Sequence, residues 1–118
     1  MGFNRFEEIL VWQKAKDLSV SLYRIFEESR DFGFRDQIQR ASVSIMNNIA
    51  EGFERQTNRE FRQFLYVAKG SCAEVRSMLY LATELTYLKK TESEDIMNNA
   101  IEISKMLTGL INSIRLSS

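Results

Sequence analysis

Four long segments of this chain place apolar residues at intervals of three and four, and no proline interrupts them anywhere in 118 residues. Val11, Ala15, Leu18, Leu22 and Ile25 form the first stripe, and Ile38, Ala41, Ile45, Ile49 and Gly52 the second. Phe61, Leu65, Ala68, Cys72, Val75, Leu79 and Ala82 form the third; Ile96, Ala100, Ile103, Leu107, Leu110 and Ile114 form the fourth. A period near 3.6 puts each set on one side of a helix, whereas the period of two that marks a strand is absent.

Without proline, the helix limits are read from caps and glycine. Asn4 with Glu7, Thr57 with Glu60, and Thr91 with Glu94 have capping-box spacing and mark three starts. A fourth start is expected just after "SRDFG", at Gly33. The third helix should be the longest, about 30 residues and so about 45 Å at 1.5 Å per residue. Short connections between long helices make neighbours antiparallel, which predicts an all-α, up-down-up-down four-helix bundle. Residues 1–118 suffice for a single domain, since a chain of this length buries about two-thirds of its unfolded surface around one core.

Sixteen basic residues balance sixteen acidic ones, so attraction to nucleic acid must come from local patches. The chain has no histidine and one cysteine. An intrachain disulfide, a Cys/His metal cluster, a Ser-His or Cys-His nucleophile and the Glu-x-x-His di-iron signature are thereby excluded. Cys72 falls on a core stripe and is expected to be a buried thiol. "EGFERQTN" has neither the glycine spacing nor the lysine of a phosphate loop. Carboxylate chemistry through Glu51 and Glu74 is the one catalytic opening, and the antiparallel register separates them. The expectation is a protein without catalytic residues, metal or cofactor. "MGFNRFEEIL" lacks a signal-peptide pattern, Phe6 stands where myristoylation wants Ser or Thr, and no apolar run approaches the roughly 20 residues of a membrane span. A cytoplasmic protein with no membrane partner is expected.

Two polar stripes stand out beside the core. Gln37, Arg40, Ser44, Asn48 and Glu51 on the second helix, with Ser71 and Glu74 on the third, form a candidate inter-helix seam. Arg62, Tyr66, Lys69, Ala73, Arg76 and Tyr80 step by four and three along the third helix, and Arg55 and Arg59 extend the row. Cations interleaved with aromatic rings can hold phosphates and stack bases, so Arg55, Arg59, Arg62, Lys69, Arg76, Tyr66 and Tyr80 are candidate nucleic-acid contacts. The competing reading is pairing within the chain: Glu51 with Arg62, Ser44 near Lys69, Gln37 near Arg76, and Arg40 near Glu74. Gly70, inside a helix, is expected where the second and third helices approach closely.

Val43, Met46, Ala50, Phe53, Met78, Leu81 and Leu88 add apolar surface behind the core stripes, more than one bundle needs. They are candidate self-association residues.

"SIMNNIAEGFER", with "FEEILVWQKA" before it and "FRQFLYVAKGSCAE" after it, resembles the bacterial family of 23S ribosomal RNA intervening-sequence proteins, often labelled ribosomal. The matching positions are Trp12, Gln37, Arg40, Ser44, Asn48, Glu51, Gly52, Gly70, Ser71 and Glu74. The resemblance implies an antiparallel four-helix bundle assembled as a homopentamer, with no catalytic residues to carry over. A related branch, the accessory variability protein of diversity-generating retroelements, is basic and binds nucleic acid; this chain is neutral. Where many relatives have proline after the Ser-Ile pair, this chain has Met46, so the second helix should run unkinked. The expectation taken forward is a homo-oligomeric binding or scaffolding module, with RNA or an RNA-handling protein as partner. A protein-interaction module without nucleic acid is the alternative.

Overall fold

A computed structural model describes residues 2–116. Met1, Ser117 and Ser118, which the sequence reading included in the one domain, lie outside the described residues. A 3-10 turn at Phe6–Glu8 leads into four helices: α1 (Leu10–Ile25), α2 (Phe32–Phe53), α3 (Asn58–Glu84) and α4 (Lys90–Ser113). There is no strand among the described residues. Each helix packs on its chain neighbours and α1 closes against α4, giving the expected four-helix arrangement with dimensions of 50 × 20 × 20 Å. At 27 residues α3 is the longest rod.

The stripes read from the sequence are the core. Leu22, Ile38, Ile45, Ile49, Leu65, Leu79 and Leu107 are fully buried, each stabilising the fold by about 1.5–3 kcal/mol relative to exposure. α2 runs unbroken through Met46, as the missing proline implied. None of the helices is long and apolar enough to cross a membrane.

The caps divide into one agreement and three corrections. Thr57 Oγ1 accepts from the Glu60 N–H at 3.1 Å and its hydroxyl donates to the Glu60 carboxylate at 3.0 Å, so α3 starts where the spacing placed it. Asn4 and Glu7 do not start α1: the Asn4 N–H donates to Glu8 Oε1 at 3.1 Å, and a 3-10 turn intervenes before Leu10. α4 begins ahead of Thr91, with the Lys89 N–H bonded to Glu92 Oε1 at 3.1 Å. α2 begins ahead of Gly33, because Asp31 Oδ1 accepts from the Phe34 N–H at 3.1 Å. In each of the three corrections a carboxylate accepts the free N–H in place of the residue chosen by spacing or by glycine.

Gly52, not Gly70, marks the close approach of α2 and α3. A Cβ at Gly52 would lie 2.5 Å from Phe64 Cβ and 3.1 Å from Phe61 Cδ1, whereas one at Gly70 meets nothing within 4 Å. The chain leaves α3 through Thr86, whose φ of 58° is unusual for a β-branched residue. This turn carries Tyr87 across the end of the bundle: its ring packs edge-on to Phe34 at 5.4 Å and its hydroxyl donates to Asp31 Oδ2 at 2.7 Å. That hydroxyl, with the Phe34 N–H second, holds the Asp31 carboxyl below its ordinary value, and the same bond raises Tyr87.

Candidate nucleic-acid interface

Contacts on two sides fix how α3 is turned. On one edge, the Ser71 hydroxyl lies 2.8 Å from that of Ser44 on α2, and Phe64 sits over Gly52. On the inner side, Cys72 Sγ donates to the Ala100 carbonyl at 3.1 Å and the Thr83 hydroxyl shares a hydrogen bond with Ser93, both on α4. Arg62, Lys69 and Arg76 each follow a buried core residue, Phe61, Ala68 and Val75, and so lie on the edge opposite Phe64 and Ser71. The basic stripe therefore borders α4, not α2.

This orientation corrects the pairing read from the sequence. Glu51 does not meet Arg62; it binds Arg55 within the same helix end, Oε1 to guanidinium at 3.0 Å. Gln37 donates to Glu74 Oε2 at 3.5 Å rather than approaching Arg76, and Ser44 meets Ser71 rather than Lys69. Asn48 donates to the Ser44 carbonyl at 2.8 Å and to its hydroxyl at 3.0 Å. Arg40 is exposed and forms no ion pair with Glu74 among the described residues. Ser71 and Glu74 do face α2 as seam residues, meeting Ser44 and Gln37; the error was to bring Arg62, Lys69 and Arg76 to that same edge, since a heptad stripe has two flanks and only one can face a given neighbour.

The stripe itself lacks anions. Among the described residues, no ion pair includes Arg59, Arg62, Lys69 or Arg76. Arg62 and Arg76 are half-buried, and the Nε of each is buried without a hydrogen-bond acceptor. A buried donor left unpaired costs about 1–3 kcal/mol. The Arg62 guanidinium stands 5.8 Å from the Tyr66 ring, and Tyr66 and Tyr80 are 52% and 65% exposed. Arg55 departs from the row: besides Glu51, it stacks on Phe64 at 4.8 Å, toward α2.

α4 supplies the other wall, which the sequence reading missed. A cleft of about 450 Å³ opens at the Tyr80 end, lined by Thr83, Glu84, Ser93, Glu94, Met97 and Asn98 as well as Tyr80. Cys72 lies beneath the stripe as an inert group, its thiol pushed up to about 11 by burial despite the nearby Arg76.

The model of the 23S rRNA-intervening sequence protein family matches residues 7–109. The chain belongs to this family. A solved structure from Bacteroides thetaiotaomicron, described as a protein of unknown function from the S23 ribosomal protein family, is similar at 28% identity with a TM-score of 0.82. The similarity covers 87% of this chain and 99% of that one. No match is found among curated proteins. Family membership thus supports the bundle and leaves its activity open.

The candidate self-association residues divide by burial. Met78 and Leu88 are buried in the chain's own core, and Met46 and Phe53 pack partly against it, with the Phe53 ring 5.8 Å from Phe61. Val43 and Ala50 are half-buried, and Leu81 is exposed. Exposed apolar surface lies at Leu10, Val20, Tyr23 and Phe32 on α1 and α2, and at Val67, Leu81 and, just past its end, Leu85 along outer α3, so Leu81 is the candidate that falls on it. Residues shared by both flanks of a fat core cannot be separated from true surface by periodicity alone.

Proposed function

We propose that the chain is a non-enzymatic, homo-oligomeric helical bundle that works in the cytoplasm as a binding module for RNA. The observation that carries this reading is the row Arg62, Lys69 and Arg76, which borders a groove, lacks carboxylate partners among the described residues, and alternates with the exposed rings of Tyr66 and Tyr80. Arg59 extends the row at the exposed start of α3. Neutral net charge makes one copy a weak polyanion binder. Repeating the row around a ring raises the effective concentration of each copy, so assembly and binding go together. Five copies is the number implied by the family resemblance, and the exposed Val67 and Leu81 on outer α3 support self-association.

The test is fluorescence anisotropy with a structured RNA at low salt. The variant Arg62→Glu, Lys69→Glu, Arg76→Glu should lose binding while keeping its helicity and assembly. The control Arg24→Glu, Arg30→Glu, Arg40→Glu, with the same charge change on α1, α2 and the turn between them and so away from the basic row, should retain most of it. Equal loss in both would reduce the effect to net charge. Absence of binding by the assembled wild-type protein would favour the protein-interaction reading, which the exposed apolar residues of α1 and α2 support.

A further inference from the structure

Seven-residue spacing on α3 is matched on α4. Asn98, Lys105 and Asn112 lie on the exposed outer rim of α4, two turns apart like Arg62, Lys69 and Arg76. The bonds from Cys72 to Ala100 and from Thr83 to Ser93 fix the antiparallel register. In that register Arg76 stands level with Asn98, Lys69 with Lys105, and Arg62 with Asn112. The cleft that holds Tyr80 and Asn98 together is the same pairing seen at one end. The middle level sets two lysines across one groove, and neither has a carboxylate partner among the described residues. The α4 residues between the walls, Ile101, Ser104 and Thr108, carry no charge. At the Tyr80 end Glu84 and Glu94 line the cleft.

We propose that this α3–α4 groove is a track for one unpaired RNA strand, held at three rungs. The proposal rests on the RNA reading above and specifies its ligand. Rungs seven residues apart are separated by about 10.5 Å along the helix. A stacked strand advances about 3.4 Å per nucleotide, so every third phosphate comes level with a rung. Tyr66 and Tyr80, fourteen residues apart on α3, are separated by about 21 Å, or about six nucleotide steps, and each presents an exposed ring. Such rings stack unpaired bases, whereas a duplex offers them only backbone and groove. Asn98 and Asn112 add neutral donors at the outer rungs and Lys105 a third cation at the middle one. The footprint is thus about seven nucleotides per chain, with little sequence preference.

Anisotropy of the assembled wild-type protein with single strands of about 3, 7 and 12 nucleotides, and with a duplex of the longest, tests this. Affinity should rise steeply up to about seven nucleotides, and the duplex should bind about tenfold or more weakly. Lys105→Gln should weaken single-strand binding several-fold, whereas Lys14→Gln, which removes the partner of Glu102 on the α1 side, should not. Tyr66→Ala and Tyr80→Ala should each cost about tenfold and Tyr→Phe at either site should restore it, since stacking needs the ring and not the hydroxyl. Equal affinity for duplex and single strand, or unchanged binding in Lys105→Gln, would overturn the track while leaving RNA binding intact. Heparin bound as tightly as RNA and indifferent to both tyrosines would mean a general polyanion surface and also overturn it. No RNA binding of either form would remove the track together with the reading it rests on.

Discussion

The hydroxyl of Ser44 on α2 lies 2.8 Å from that of Ser71 on α3, and this contact turns the basic row of α3 away from α2. Arg62, Lys69 and Arg76 are consequently left without the seam partners that their spacing offers. A double-mutant cycle on Glu51→Arg and Arg62→Glu should therefore be additive within about 0.5 kcal/mol of unfolding free energy. The cycle on Ser44→Ala and Ser71→Ala should show coupling of about 0.5–1 kcal/mol, because the two hydroxyls bond each other, Ser44 keeping only its Asn48 donor when Ser71 is removed. Both are measurable by urea denaturation. Rescue of Glu51→Arg by Arg62→Glu would restore the direct pairing.

Two glycines should respond to alanine with opposite signs. At Gly52 the added methyl meets Phe64 and Phe61, so Gly52→Ala should destabilise by about 1–3 kcal/mol through overpacking. At Gly70 nothing lies within 4 Å, and Gly70→Ala should stabilise by about 0.5–1 kcal/mol through helix propensity and a less free unfolded chain. Thermal melts of the two variants suffice. The same sign at both would contradict the placement of the close approach.

The architecture was legible because one stripe per helix, repeated over 16 to 27 residues, leaves little freedom in what a helix must bury. Thr57 with Glu60 was legible for a similar local reason, since hydroxyl and carboxylate are three residues apart. That Ser71 and Glu74 face α2 was legible too, but the exclusion of Lys69 from that flank was not, because Ser71 and Lys69 are equally good neighbours of a core stripe until the packing of Phe64 on Gly52 chooses between them. The α4 wall escaped notice because Asn98, Lys105 and Asn112 are an ordinary solvated face in sequence. They acquire meaning only when the register brings them level with α3. Gly70 misled because an exposed helical glycine and a buried one look alike in a string of letters.

The bond from Tyr87 to Asp31 should make one end of the bundle sensitive to pH at both extremes. Asp31 has its carboxyl lowered by this bond, so the stability it contributes is present above the ordinary aspartate range and is lost as pH falls through the folded value. Tyr87 is raised, so its share is present below the ordinary tyrosine range and is lost as pH rises through its folded value. Tyr87→Phe keeps the ring on Phe34 and removes the hydroxyl. Its melting temperature should fall below that of wild type near neutrality, and the gap should close toward acid. A gap independent of pH would assign the loss to packing alone.

The central claim is that the α3 cations meet phosphates and not their own chain. Its most direct test is the salt dependence of single-stranded RNA binding in wild type, Arg62→Gln and Arg76→Gln. Each variant should keep its fold and assembly and reduce the slope of log K against log salt by about 0.7, the loss of one phosphate contact. Slopes identical to wild type in both variants, or no binding at low salt, would contradict it.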